Sequence, residues 1–394
     1  MTKQLLLSSL LLLTFLGLPT PAGAQTADLE VSGWIPYWRE REGTRDARNH
    51  LRELDEINPF AYAVKQDGTL NDLMQINKSP WTRLIKDARA QKVRVVPTVM
   101  WSDSLNIDRV LRDSELRKKH IKSIVDVVKK GKFDGIDIDY EGKMAQSKIP
   151  FSLFLVELKV ALGSKHLSCT IEARTPPESL YSTARDIQYV NDFNIIGQVC
   201  DRVKIMAYDQ QRADIKLNAQ HSGVPYAPVA DVDWVRKVMT LTAETIPKSK
   251  LVVGIPTYGY EFEIIANPGR YGGYAKVWAL NPQYGHDTAK KYKTDIGRSE
   301  ADEPFFTYRP SGTNPQLPTD LNIPRNTPKY LETAVKAMTY ANNTGQLVPF
   351  YLVTWSDAEA IKTKINLAQE LGLRGVAIFK IDGAEDREMW DLLD

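Results

Sequence analysis

The chain has 394 residues, in which 51 Lys and Arg stand against 49 Asp and Glu, a formal net charge of +2. So even a balance provides no field that would gather nucleic acid or an anionic membrane as partner. Two cysteines in a chain this long exclude a disulfide-stapled scaffold, because the chain can build its own core. Cys169 and Cys200 either form one bridge or remain two buried thiols, and their spacing leaves both open.

Lys3 precedes the apolar run Leu5–Leu18, followed by Pro19-Thr20-Pro21 and Ala22-Gly23-Ala24. A basic start, a short apolar core and an A-x-A end predict a secretory signal peptide over residues 1–24. The run falls short of the roughly 20 residues that span a bilayer. The mature chain is therefore expected outside the cytoplasm, whether extracellular, periplasmic or cell-wall associated, as a soluble monomer with no membrane partner.

Short β-branched runs then alternate with amphipathic stretches. The strand candidates are residues 31–38, 57–64, 93–100, 133–141, 167–173, 202–209, 251–260 and 375–381. Between them, segments such as 45–54, 115–130, 151–163, 232–246 and 358–372 repeat apolar residues at three and four, as a helix laid on a sheet requires. This alternation predicts an α/β fold with a parallel sheet covered by helices. The count of eight favours a closed (β/α)8 TIM barrel over an open doubly wound sheet, and no G-x-G-x-x-G turn follows the first strand. From Glu261 to Thr354 the rhythm breaks into aromatic, Gly- and Pro-containing pieces, too long for a structureless loop. The expected layout is a barrel over 25–260 and 355–394 with a small α+β insertion over 261–354.

The segment FDGIDIDYE (Phe133–Glu141) places four acids in nine positions of an otherwise core-like strand. Alternate strand residues share a face, so Asp137, Asp139 and Glu141 point one way and Ile136, Ile138 and Tyr140 the other. Asp134 is out of phase and serves the start of the strand. Glu141 comes last, at the carboxyl end where barrel enzymes hold their active sites. Inward acids stepped about 7 Å apart in a poorly solvated cavity share protons and couple their titrations. That crowding keeps a terminal glutamate protonated near neutrality, as a general acid must be. A Mg²⁺ or Ca²⁺ site is the rival use of such acids, but no histidine or second acidic cluster converges on them in the sequence.

The run Asp134-x-x-Asp137-x-Asp139-x-Glu141 resembles the D-x-x-D-x-D-x-E signature of the family 18 glycoside hydrolases, the chitinase family. IMAYD (Ile205–Asp209) is similar to the family's Met-x-Tyr-Asp on strand six. GIPTYGYEF (Gly254–Phe262) is similar to the strand-seven segment that leads into an α+β insertion in one subgroup. Residues 351–381 look like the C-terminal part of members that trim bacterial spore and cell walls. The resemblance implies a (β/α) barrel that cleaves β-1,4 bonds next to N-acetylglucosamine, in chitin or in the peptidoglycan sugar strand, with no cofactor and no metal. It also implies substrate assistance, an exception to the two-carboxylate scheme. Glu141 would protonate the leaving oxygen, while Asp139 orients the substrate acetamide and shares a proton with Asp137. Tyr208 would donate to the acetamide carbonyl and Asp209 would bind a sugar hydroxyl.

Aromatic rings near strand ends are the remaining sugar-binding resource: Trp34, Tyr37, Tyr62, Trp101 and Tyr258, with Tyr140 as a candidate for a leaving-group subsite. Two departures from the family pattern stand out. Phe379 occupies the strand-eight place where members commonly carry Trp, and VVPTVMW replaces Ser-x-Gly-Gly on strand three. The competing class is a non-catalytic lectin on the same barrel. Such relatives usually lose the terminal glutamate, which is present here. A metal-dependent hydrolase would lose activity to a chelator, whereas a substrate-assisted one would be indifferent.

Overall fold

The computed structural model describes residues 29–180 and 189–393; the expected signal peptide lies outside them. Eight parallel strands form a closed ring. They are Glu30–Pro36, Glu56–Phe60 resumed as Tyr62–Val64, Arg94–Val95 resumed as Thr98–Trp101, Gly135–Tyr140, His166–Glu172, Arg202–Met206, Leu251–Pro256 and Gly375–Phe379. Each pairs in parallel with the next. The eighth returns to the first in the register Glu30↔Gly375 to Trp34↔Phe379. The α/β barrel expected from the alternation is therefore the observed fold.

Strand three is interrupted at Val96-Pro97, since proline has no N–H to give a ladder. Asn58 Nδ2 donates to the freed carbonyl of Val96 at 2.8 Å. Helices including Glu40–Asn49, Ser114–Gly131, Lys148–Leu162, Val232–Ala243 and Ala358–Leu371 cover the ring. Several begin at an aspartate whose carboxylate accepts free N–H groups of the first turn. Asp113 takes Glu115 and Leu116, and Asp357 takes Ala360, each cap contributing about 1 kcal/mol. Cys169 and Cys200 are bridged, joining strand five to the residues just before strand six.

A second, antiparallel sheet is built from Gly259–Asn267, Arg270–Leu280, Val348–Trp355, Pro304–Tyr308 and the short Gly297–Arg298. Gly259 starts it because a Cβ there would lie 2.1 Å from the Thr354 carbonyl oxygen. The sheet is tied to the barrel by buried Glu303, which accepts the N–H groups of Val229 and Ala230 at 2.9 and 2.7 Å and the Thr354 hydroxyl at 3.1 Å.

Inside the ring, the amino end is filled by ion pairs. Glu30 receives Arg94, Arg202 and Arg374 at 2.7, 2.7 and 2.9 Å. Glu56 receives Lys204 at 2.8 Å and Arg94 at 3.1 Å. Above this layer sit Trp34 and Asp137, joined by a hydrogen bond, and above them Asp139 and Glu141.

Candidate active site

Parity sorts strand four as the sequence predicts. Ile136, Ile138 and Tyr140 are fully buried in the helical shell. Asp137 faces inward and is saturated: Trp34 Nε1 donates at 3.1 Å, the Thr98 hydroxyl at 2.9 Å and the Thr170 hydroxyl at 2.9 and 3.0 Å to its two oxygens. Asp134 accepts the Val95 N–H at 2.8 Å and so anchors the start of strand three.

Asp139, one layer up, is only 3% exposed, and its Oδ1 has no partner among the described residues. Burial, then Glu141, Asp137 and Glu172, push its carboxyl well above the usual range, with Lys143 opposing. Glu141 follows the strand and opens to the cleft. Burial and the neighbouring Glu172, with a smaller push from Asp209, raise its pKa against Lys143. Both acids thus hold protons to higher pH than free carboxyls do.

Tyr208 lies across from them. Burial, then Asp139, Asp209 and Glu141, push its hydroxyl well above the usual range, so it stays a donor. Its ring stacks on Phe379, with centroids 5.4 Å apart and planes 12° from parallel. Gly254 leaves the room: a Cβ there would lie 2.8 Å from the tyrosine ring. Asp209, at φ 59°, accepts the hydroxyls of Tyr258 and Tyr260, each at 2.6 Å.

Phe379 is shared by two cavities. One, of about 380 Å³, is lined by Trp38, Asp209, Tyr258, Tyr260, Lys380 and Asp382 among others. The other, of about 410 Å³, contains Glu141, Trp101, Phe60, Met100 and Asp103. Together they make a cleft with Phe379 at its floor. Trp34 meets Phe379 edge-on from below at 5.9 Å.

Several aromatics stand elsewhere than the sequence suggested. Tyr140 is not in a leaving-group subsite. The parity that turns the acids inward turns its ring into the shell, where it stacks on Phe154 at 5.5 Å and its hydroxyl meets His120. Burial pushes His120 down to about 4, so this imidazole is neutral. Trp34 supports the floor rather than forming it, its indole N–H being committed to Asp137. Tyr62 is buried beside the Leu70–Asp72 strand and lines neither cavity. Tyr37 leans edge-on against Trp38 at 4.9 Å, and it is Trp38, 50% exposed, that lines the cleft. The first strand ends at Pro36, so the alternation that would single out Tyr37 does not reach it. Trp101 and Tyr258 do line cavities.

Glu172 and Lys143 were not foreseen. Glu172 continues the inward phase of Thr170 on strand five, so the parity that found Asp139 and Glu141 could also have found it. Lys143 is legible only once its neighbours are placed, because nothing in its spacing predicts burial.

A charged, aromatic-floored cleft at the carboxyl end, with two carboxyls pushed toward their protonated forms, defines the class: a (β/α) barrel with an acidic site where such barrels hold their chemistry. The model of "Glycosyl hydrolases family 18" matches residues 33–384, and the chain belongs to that family. It is 24% identical over 383 residues to the cortical fragment-lytic enzyme of Bacillus subtilis, covering 94% of this chain and 75% of that protein. Two other Bacillus subtilis proteins, YdhD and YvbX, match at 28% and 25% identity over 51% and 40% of this chain, which spans only 44% and 42% of their lengths. Among solved structures, the Bacillus cereus spore cortex-lytic enzyme SleL superposes with a TM-score of 0.66 at 20% identity, over 93% of this chain and 74% of that one. A Cycas revoluta family 18 chitinase in complex with (GlcNAc)3 gives 0.66 at 14% identity, over 92% and 98%. The chain is thus a member of family 18, similar to spore cortex-lytic enzymes and chitinases.

Proposed function

We propose that this glycosidase is exported and hydrolyses β-1,4 bonds in N-acetylglucosamine-containing glycan, with the substrate's own acetamide as nucleophile and retention at the anomeric carbon. The observation that carries the reading is Asp139, a buried, proton-holding carboxyl with a free Oδ1 one layer below Glu141. A buried oxygen without a partner is costly unless a ligand supplies one, and an acetamide N–H supplies it. Glu141 then gives its proton to the glycosidic oxygen as the C1–O bond breaks. The acetamide oxygen attacks C1 and closes an oxazolinium ring. Asp139, its proton shared with Asp137 beneath it, accepts a hydrogen bond from the acetamide N–H and so offsets the positive charge, while Tyr208 donates to the acetamide oxygen and steadies it in line. Glu141, now a carboxylate, removes a proton from water as the water opens the ring. Asp137, held by three donors one layer beneath, adds its charge to those that keep a proton near Asp139. Tyr258 and Tyr260 hold Asp209 for a sugar hydroxyl, and Phe379 and Trp38 offer faces to pyranose rings.

Export rests on the basic, apolar and A-x-A pattern of residues 1–24. The spore-cortex relatives favour peptidoglycan glycan strands over chitin as the first substrate to try. The test compares N-acetylchitotetraose and purified peptidoglycan with the same glycans after de-N-acetylation. Cleavage of the acetylated forms alone, unaffected by chelator, is the expected result. Comparable turnover of the de-N-acetylated forms would overturn substrate assistance.

A further inference from the structure

Strands four and five are in the register Asp139↔Thr170. Two residues further on, that register sets Glu141 beside Glu172, on parallel strands about 4.8 Å apart and in the same inward phase. Two glutamates side by side do not both carry charge without cost, and the environment decides which keeps a proton.

Their surroundings differ sharply. Glu172 accepts Lys143 Nζ at 3.3 and 3.2 Å, the Gly142 N–H at 3.1 Å and Asn191 Nδ2 at 3.0 Å. Lys143 is buried, donates also to the Tyr140 carbonyl, and lies 4.9 Å from the centre of the Phe151 ring. Gly142 takes φ 62°, a conformation that suits glycine. The turn immediately after Glu141 is thus strapped to Glu172 through the next two residues. Glu141 itself feels burial and charge without any hydrogen bond of that kind. The titratable and charged groups facing it are Asp139 on its own strand, Lys143 on its own turn, Asp103 after strand three, Glu172 on strand five, and Tyr208 and Asp209 after strand six.

We propose that Glu172, clamped by Lys143, the Gly142 N–H and Asn191, is a positioning residue that fixes the turn carrying Glu141 and sets a negative charge beside it, so that the catalytic proton stays on Glu141. This rests on the reading of Glu141 as general acid. Lys143 then acts as a counterweight: it satisfies Glu172 and limits how far Glu141 is raised. A purely structural ion pair would hold the turn and leave the titration of Glu141 alone, so the pH profile separates the two roles.

The sign follows from the charges. A general acid works below its pKa, so activity falls on the alkaline side as Glu141 loses its proton. Removing the Glu172 charge lowers the pKa of Glu141, and removing the Lys143 charge raises it. The experiment is the pH dependence of kcat/KM on N-acetylchitotetraose, or on peptidoglycan strands if these are preferred, for the full chain and three variants. Glu172→Gln should move the alkaline limb to lower pH and Lys143→Met should move it to higher pH, each by roughly half to one unit for a partly screened neighbouring charge. Lys143→Arg, which keeps the cation, should return the limb toward its native place. If Glu172→Gln alone does not fold, the double variant Glu172→Gln/Lys143→Met, which leaves neither charge unpaired, should set the limb below that of Lys143→Met, and a limb that stays with Lys143→Met overturns the proposal. Limbs that stay put, or that move the same way in Glu172→Gln and Lys143→Met, overturn the proposal. Glu141→Gln is the control on the underlying reading: full turnover there means Glu141 is not the acid at all. An inactive Glu141→Gln with unmoved limbs refutes the role of Glu172 alone.

Discussion

At the amino end of the barrel, Glu56 is fully buried, and burial alone would raise its pKa, yet Lys204, His166 and Arg94 bring it down to about 2. At the carboxyl end Asp139 is just as buried, its main neighbours are Glu141, Asp137 and Glu172, and its carboxyl is pushed well up. The same axis, the same desolvation and the same chemical group give opposite results. What burial does to an acid is decided by what lies opposite it. The lower layer pairs each glutamate with Arg or Lys and is inert. The upper layer leaves its acids short of cations, and that shortage is what makes proton donors.

The two ends also pull stability in opposite directions with pH. A carboxylate depressed in the folded state contributes stability above its unfolded pKa and loses it on acidification. For Glu56 that window runs from about 4.5 down to about 2. Asp139 and Glu141, raised in the folded state, favour folding at low pH and weaken it as pH climbs through their raised values.

The comparison can be broken from either end. At the upper end, Glu141→Gln should lower kcat by roughly 10²–10⁴, the typical worth of a general acid; glycan binding, measured by calorimetry, should persist. Retained turnover would remove the upper end from the chemistry. At the lower end, Glu56→Ala strands buried Lys204 and should cost about 3–5 kcal/mol of unfolding free energy in urea. It should leave the alkaline limb of kcat/KM in place, and a shifted limb would mean that the two ends communicate.

Smaller effects sharpen the picture. Replacing Cys169 and Cys200 by Ser opens a link across a sequence separation of 31 residues and should cost about 3–4 kcal/mol on the chain-entropy model. Since the bridge lies in the shell and touches neither acid layer, kcat should hold at a temperature where the variant is folded. Phe379→Ala removes the ring between the two cavities and should raise KM by about fivefold, the size of one lost aromatic contact of about 1 kcal/mol. An unchanged KM would show that the sugar does not rest on that ring.

Much of this was written in local patterns. The period-two alternation of FDGIDIDYE gave both the inward acids and the outward isoleucines, and the βα rhythm gave the closed ring. Glu303 and Lys204 could not be read, since a lone charged residue in a strand or loop carries no local sign of the partner that buries it. The aromatics were the least readable. Being near the end of a strand says nothing about which way a ring turns, and Tyr62, Trp34 and Tyr140 all turn into packing. Tyr140 is out of phase with the acids and its ring is wholly taken up by packing, and Trp38 was hidden because the strand ends two residues before it. Lys143 needed the turn after strand four, which nothing in its neighbours' periodicity reports.

The most direct test is an infrared titration of the carboxyl groups of the full chain, taken as differences against Glu141→Gln and Glu56→Gln. A protonated-carboxyl component that persists above the usual carboxylate range, is lost in Glu141→Gln while the component from Asp139 remains, and is unchanged in Glu56→Gln, is the expected result. A Glu141 band that vanishes where free glutamate ionises would contradict the claim that the carboxyl end of the barrel keeps its proton for want of cations.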